Sequence, residues 1–155
     1  MSSMSQLLTP GRCLCRARAT SKKQVFELIA DTLAREHDEC HTAELVAGML
    51  AREKLGSTGL GDGIAIPHCR LRDIEEPSGV LVTLVTPAPF DAPDDRDVDL
   101  LFALVVPTEA TQEHLNILAE LARLFSQPRF CQALRECGTS EALHATALNW
   151  VSEAS

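Results

Sequence analysis

Aromatic residues are scarce in this 155-residue chain, which contains five Phe, one Trp and no Tyr. Because 45% of its residues are nonetheless hydrophobic, a core has to be built from Leu, Val, Ile and Ala. A chain of this length can bury such a core within one domain. We find no internal repeat and no linker that would divide the chain. We therefore expect an irregular N-terminal lead-in over residues 1–20, which can include a short strand or turn, and a single domain over residues 21–155.

Long hydrophobic runs are also missing, and none approaches the roughly 20 residues that cross a bilayer. The N-terminal segment carries Arg12, Arg16 and Arg18 instead of the apolar stretch of a secretory leader. These two observations predict a cytoplasmic protein that does not insert directly into a membrane.

Basic residues are in deficit, since Lys and Arg total 14 while Asp and Glu total 22, giving a net charge of −8 with neutral His. A surface of this charge repels nucleic acid and anionic membranes and attracts basic proteins. We therefore expect a protein partner and no nucleic-acid partner.

The six cysteines form neither a C-x-x-C pair nor a disulfide-like framework, which predicts free thiols. The alternative is a soft metal held by Cys13 and Cys15. An acidic loop follows residue 90, but it lacks the glycine and terminal glutamate of a calcium-binding loop. We therefore expect no metal and no cofactor, and we interpret as a solvated surface the residues Asp91, Asp94, Asp95, Asp97 and Asp99.

Apolar periodicity predicts helices before, between and after short strands. Ser21-x-x-Gln24 is a possible capping box for a first helix, and Thr42 is a possible N-cap for a second. We expect strands over residues 64–66, 80–85 and 98–106, and helices over 42–54, 111–126, 128–138 and 140–151. The longest apolar strand has to be covered on both faces. This order predicts an α/β fold: a three-layer domain with a mixed parallel and antiparallel sheet flanked by helices on both faces.

Residues 56–70 read GSTGLGDGIAIPHCR and form the most informative segment. Its glycines allow sharp turns and leave backbone N–H groups uncovered. Pro67 ends the apolar run Ile64–Ile66 because proline cannot donate to a strand ladder. We therefore expect His68 to leave the sheet at a chain reversal, beside N–H groups that suit an anion. This pattern indicates a place to hold a phosphoryl group.

The segment EKLGSTGLGDGIAIPHC, from Glu53 to Cys69, resembles the phosphorylation-site signature of EIIA type-2 domains. These domains belong to the mannitol/fructose class of the bacterial phosphoenolpyruvate-dependent phosphotransferase system, and the wording is most similar to its nitrogen-regulatory branch. The stretches from Asp99 to Pro107 and from Glu113 to Leu115 also resemble that branch. The similarity extends from about Ser21 to about Trp150.

The resemblance implies that His68 accepts a phosphoryl group, and a neutral imidazole suits this role because its pKa lies near neutrality. It also implies that His114 orients the imidazole or the phosphate, and that Arg52 stabilises the phosphate charge. The alternatives are a solvent-facing His114 and an Arg52 in an ordinary charged helix end. Either donation to phosphate or a purely structural turn fits the loop residues Ser57, Thr58, Gly59, Gly61 and Gly63. Two residues depart from the family pattern: Asp62, where asparagine is expected, and Cys69, where glycine is common.

The resemblance implies a transferase-type phosphocarrier with no cofactor, which receives its phosphoryl group from HPr or a nitrogen-branch HPr-like carrier. Its phosphorylation state would then control downstream kinases or transporters. One alternative is an EIIA component that passes the group to a IIB domain of a sugar transporter. Another is an interaction module that is never phosphorylated. The segment lacks the lysine of a P-loop and the last glycine of a dinucleotide-binding motif, and the chain has no hydrolase nucleophile motif.

Overall fold

The computed structural model describes residues 3–36, 41–71, 74–109 and 111–150, with only the backbone of residues 3, 111, 113 and 114. A 3-10 turn covers Pro10–Arg12. The helices within these ranges are α1 (Ser3–Leu7), α2 (Lys22–Glu36), α3 (Thr42–Lys54), α4 (Thr111–Phe125), α5 (Pro128–Glu136) and α6 (Ser140–Asn149). The strands are β1 (Cys13–Ala17), β2 (Gly59–Gly61), β3 (Ile64–Ala65), β4 (His68–Leu71), β5 (Ser78–Ala88) and β6 (Val98–Pro107).

The described strands form one sheet in the order β1-β5-β6-β3-β2, and β4 pairs with β6 beyond the end of β3. Strands β5 and β6 are antiparallel, whereas β1 is parallel to β5, and both β3 and β4 are parallel to β6. The expected mixed sheet is therefore confirmed.

Strand β6 is buried on both faces, as its nearly continuous apolar sequence predicts. Its side chains alternate between two hydrophobic clusters. Leu101, Ala103 and Val105 pack in the cluster that contains residues of α2 and α3. The opposite face, with Leu100 and Phe102, packs in the cluster that contains residues of α1, α4, α5 and α6. This arrangement confirms the three-layer architecture.

The described part of residues 1–20 contains a short strand, as the sequence allowed, but it is more regular than the expected lead-in because it also forms the helix α1. Met4, Leu7 and Leu8 are buried in the core, and β1 pairs with β5. The buried Arg12 donates to the Leu7 carbonyl at 2.7 Å and to Glu36 Oε1 at 3.0 Å. A five-residue helix is too short to show a helical period, which is why the periodicity of the sequence did not reveal it.

The two predicted caps have different outcomes. Ser21 Oγ accepts the Gln24 N–H at 3.1 Å, as expected of an N-cap, but Gln24 Oε1 accepts the Thr20 N–H and does not close the box on Ser21. Helix α3 has the predicted bounds, but its N-cap is His41 and not Thr42. The Thr42 hydroxyl donates instead to Asp31 at 3.3 Å. The predicted end of the last helix at Val151 lies outside the described residues.

Candidate functional site

His68 lies along the edge of β6 and not at a chain reversal, so that expectation is wrong. Ile64 pairs with Leu100, and His68 pairs with Leu104 with the same offset, so β4 continues the line of β3. Pro67 cannot donate to the ladder, but its carbonyl accepts the Leu104 N–H at 2.9 Å. The chain therefore interrupts its pairing at Pro67 without turning away, and the imidazole begins the next strand.

The imidazole of His68 is held through both ring nitrogens. The Arg52 Nε–H donates to Nε2 over 3.1 Å, and Nδ1 lies 3.0 Å from the Ile66 carbonyl oxygen. Because a guanidinium can only donate, Nε2 has to present its lone pair, and the proton therefore lies on Nδ1 and is donated to Ile66. This is the neutral tautomer in which Nε2 is the nucleophilic atom.

The surroundings of His68 lower the pKa of its imidazole below the usual 6.5. Partial burial is the largest cause, and the positive charges of Arg52 and Arg70 act in the same direction. The Ile66 carbonyl and the Glu53 carboxylate oppose the shift. The net result is a ring that stays neutral at physiological pH and keeps its nucleophilic lone pair.

Arg52 lies in the last turn of α3, and its Nη1 donates to the Gly56 carbonyl at 2.9 Å. This second anchor fixes the guanidinium beside the ring of His68. Arg52 is therefore the candidate residue that the described contacts place directly against His68.

His114 lies in the first turn of α4, but its side chain is outside the described part of the chain, so its expected role stays a prediction. Helix α4 follows β6, whose last residue Pro107 pairs with Leu71 of β4. The neighbouring Leu115 is 59% exposed.

The first part of the glycine-rich segment uses its polar groups within the chain. The Ser57 hydroxyl donates to the Phe90 carbonyl at 2.8 Å and accepts the Gly59 N–H at 3.0 Å. The N–H and the hydroxyl of Thr58 both donate to the carboxylate of Glu53. The Thr58 carbonyl accepts the Ile66 N–H at 3.1 Å. These contacts place Ser57, Thr58 and Gly59 beside the site as its framework.

The second part of the segment lies away from the imidazole. Positions 100 and 104 of β6, which pair with Ile64 and His68, are four residues apart, or about 13 Å along a strand. Gly61 pairs with Ile64 and Gly63 directly precedes Ile64, and the two glycines have positive φ angles of 93° and 80°. These two glycines form the β2–β3 turn, which favours the structural alternative, and their expected role in phosphate binding stays a prediction.

This turn also contains Asp62, which has a φ of 57° and donates its N–H to Asp94 at 2.9 Å. The Asp62 side chain is exposed and pairs with Arg96 at 3.4 Å. Its charge therefore faces solvent, away from His68.

The sequence alone does not reveal the role of Glu53. Its side chain is only 4% exposed and accepts hydrogen bonds from Thr58 and, over 3.1 Å, from Lys22 Nζ. One signal was present, because a glutamate in the last turn of a helix is unfavourable for the helix dipole and needs a compensating partner. Glu53 joins α2, α3 and the glycine-rich segment.

Cys69 is buried on the opposite face of β4, where its Sγ would lie 3.7 Å from a Cβ built on Gly48. Adjacent strand residues point to opposite faces, so Cys69 and His68 do not form a catalytic pair. Within the described ranges, no group of three or more His, Cys, Asp or Glu side chains is arranged to hold a metal ion. No helix in those ranges has the length and apolar character needed to cross a membrane.

Comparison with known proteins assigns this architecture. The sequence profile of the phosphoenolpyruvate-dependent sugar phosphotransferase system EIIA 2 family matches residues 6–149. A nitrogen regulatory protein of Pseudomonas aeruginosa is 46% identical over 141 residues, which cover 91% of this chain and 92% of that protein.

Solved structures agree. The crystal structure of nitrogen regulatory protein IIA-Ntr from Neisseria meningitidis has a TM-score of 0.88 and 38% identity, covering 94% of this chain and 99% of that one. The enzyme IIA chain in a complex of IIA and phosphorylated IIB of the Escherichia coli mannitol system shares the fold, with a TM-score of 0.76 and 18% identity over 92% of this chain and 98% of that one. This chain therefore belongs to the EIIA type-2 family of the phosphoenolpyruvate-dependent sugar phosphotransferase system.

Proposed function

We propose that the protein is a phosphohistidine carrier, which accepts a phosphoryl group on Nε2 of His68 from a histidine-phosphorylated HPr-like protein. The observation that carries this proposal is the neutral ring whose Nδ1–H donates to Ile66 while Nε2 faces Arg52. In the transfer, the N–P bond of the donor breaks and an Nε2–P bond forms. No proton has to leave Nε2, because that nitrogen already has its lone pair.

The neighbouring charges suit this product. Arg52 has to give up its contact with Nε2 when the N–P bond forms, and its guanidinium is then close enough to bind a phosphoryl oxygen. Arg70 lies two residues after His68 on the same face of β4 and adds positive charge. In phosphoryl transfer, such positioning and charge stabilisation supply most of the catalysis. We assign His114 the further role of orienting the phosphate or the imidazole.

The chemistry of the surface favours a basic phosphoryl donor. The chain has a net charge of −8, which attracts a basic carrier and makes the encounter sensitive to salt. Leu55 is 85% exposed and Leu60 is 46% exposed, and both lie in the segment that leads to His68. These two exposed side chains offer apolar contact area to a partner protein.

We propose that phosphorylation of His68 regulates partner proteins. The support is the 46% identity with a protein named for nitrogen regulation, together with the wording of the segment around His68. The alternative of transfer to a IIB domain is favoured by one observation: the structural neighbour from the mannitol system was determined as a IIA–IIB complex. A third alternative is a module that binds partners without phosphorylation.

The intact mass of the protein tests the carrier proposal. The chain is incubated with phosphoenolpyruvate, enzyme I and HPr, alongside His68→Ala and, as a matched control, His41→Ala at an exposed position. We expect one added phosphoryl group in the wild type and in His41→Ala, and none in His68→Ala. An unmodified wild type with both HPr and a nitrogen-branch carrier would favour the binding module. Passage of the label to an added IIB domain would favour the transporter alternative.

A further inference from the structure

A buried carboxylate connects the N-terminal end of α2 to the imidazole of His68. Lys22 Nζ donates to Glu53 Oε2 over 3.1 Å, and the Glu53 carboxylate accepts both the N–H and the hydroxyl of Thr58. The Thr58 carbonyl accepts the Ile66 N–H at 3.1 Å, and the Ile66 carbonyl accepts the Nδ1–H of His68 at 3.0 Å. The hydrogen bonds therefore form an unbroken chain from Lys22 to the ring.

The two charged members of this chain depend on each other. Glu53 is almost fully buried, and a carboxylate in that environment needs a cation and hydrogen-bond donors. Lys22 is 19% exposed, lies 5.2 Å from the centre of the Phe90 ring and is 3.6 Å from the exposed Asp91. The packing against Phe90 fixes the ammonium group, because the aromatic face attracts a cation.

The same carboxylate controls a short piece of backbone. Glu53 fixes Thr58, and Thr58 fixes the peptide of Ile66, the residue just before Pro67. The position of the Ile66 carbonyl determines where Nδ1–H points and hence where Nε2 faces. Arg52, the neighbour of Glu53 on α3, then meets Nε2 from the opposite side.

We propose that Lys22 and Glu53 are positioning residues for His68, which hold its Nδ1–H on the Ile66 carbonyl and thereby aim Nε2 at the incoming phosphoryl group. Neither residue touches the reacting atoms. This inference rests on the proposed function of His68 for its kinetic consequence, but its structural consequence is measurable without any phosphoryl donor.

The test uses Glu53→Gln and Lys22→Met in the full chain. Glutamine has the size of glutamate but loses the charge that binds Lys22, and it offers one acceptor oxygen in place of two. The matched controls are the exposed neighbours Glu27→Gln and Lys23→Met on α2. The first readout is the exchange of the His68 Hδ1 proton with solvent, measured by NMR together with the amide of the buried Leu101 in β6.

We expect Hδ1 exchange to be at least about tenfold faster in both variants, while the Leu101 amide and both controls retain the wild-type rate. The second readout is phosphoryl transfer from phosphorylated HPr, for which we expect kcat to fall about tenfold with little change in KM. A purely structural role would accelerate exchange at Leu101 as well. If Glu53→Gln does not fold, Lys22→Met, at the partly exposed end of the series of hydrogen bonds, tests the positioning role by itself.

Unchanged Hδ1 exchange in folded variants would overturn the positioning role, whether or not the protein is phosphorylated. A wild type that gains no phosphoryl group, with Hδ1 exchange accelerated in the variants, would contradict the proposed function and support the positioning role. These two results are distinguishable because the NMR measurement needs no donor.

Discussion

The glycine-rich segment is contacted by an arginine in two places: beside His68, here called the His68 end, and at the β2–β3 turn, here called the hairpin end. The two arginines have different partners. At the His68 end, Arg52 donates to an imidazole nitrogen and to the Gly56 carbonyl. At the hairpin end, Arg135 donates to Asp99 at 2.8 Å and to the Asp62 carbonyl at 2.8 Å. The first arginine faces a nucleophile, whereas the second is already neutralised by a carboxylate. Only the first is therefore available to a phosphoryl group.

Substituting the two arginines gives the sharpest test of this difference. We expect Arg52→Ala to lower the rate of phosphoryl acceptance about 100-fold, because a preorganised donor is lost at the reacting atom. We expect Arg135→Ala to change that rate less than about twofold and to destabilise the fold by about 1 kcal/mol, because Asp99 loses its partner. Single-turnover transfer kinetics and thermal denaturation measure the two effects. Similar kinetic losses in both variants would show that the two ends act as one site.

Acidification should stop phosphoryl transfer at His68 and release the hairpin from Asp94 at different pH values. Protonation of Nε2 removes the lone pair, so the transfer rate should fall about tenfold per unit below the pKa of His68, which lies under 6.5. At the hairpin end, hydrogen bonds from the N–H groups of Asp62 and Arg96 hold the pKa of Asp94 below its usual 3.8. Transfer should therefore be lost while the hairpin is still anchored. A pH series of transfer rates and of the Asp62 amide shift checks this, and simultaneous loss would contradict it.

The smallest kinetic effect is expected from Gly63→Ala. Gly63 has a φ of 80°, and an added Cβ would lie 2.9 Å from Arg135 Nη2 and 3.0 Å from Asp99 Oδ1. We expect a loss of about 1–2 kcal/mol in the free energy of unfolding from the backbone strain. The transfer rate of the folded protein should stay at the wild-type value. A kinetic defect larger than the loss of folded protein would place this turn in the site after all.

The central architecture was predictable because burial on both faces leaves a direct mark on sequence. The apolar run of β6 shows this, and the one-sided spacing of apolar residues gave the bounds of α3 in the same way. Register and short-range pairing leave no such mark. The pairing with β6 continues past Pro67 because the Pro67 carbonyl still accepts the Leu104 N–H. The alternation of apolar and polar residues does not reveal this hydrogen bond.

The site was predictable only in part for a related reason. The sequence singled out His68 and, just before the glycine-rich segment, Arg52, but spacing along the chain did not show that the glycines divide between the His68 site and the β2–β3 turn. Gly59 lies near the site framework, whereas Gly63 contacts the Arg135–Asp99 pair. The role of Glu53 is not visible in the sequence because its partner Lys22 is 31 residues away, and packing of the helices decides such a pairing.

The buried thiols of Cys13 and Cys131 can report when individual elements of the fold open. Burial raises the pKa of Cys13 on β1 to about 12 and that of Cys131 on α5 to about 11, so almost none of either thiol is ionised at neutral pH. Alkylation requires the thiolate, so each thiol should react only when its own element opens. The labelling rate of Cys13 then measures how often β1 detaches from β5. The labelling rate of Cys131 measures how often α5 opens. One reagent would thus report whether β1 and α5, whose thiols lie in the same hydrophobic cluster, open together or in sequence.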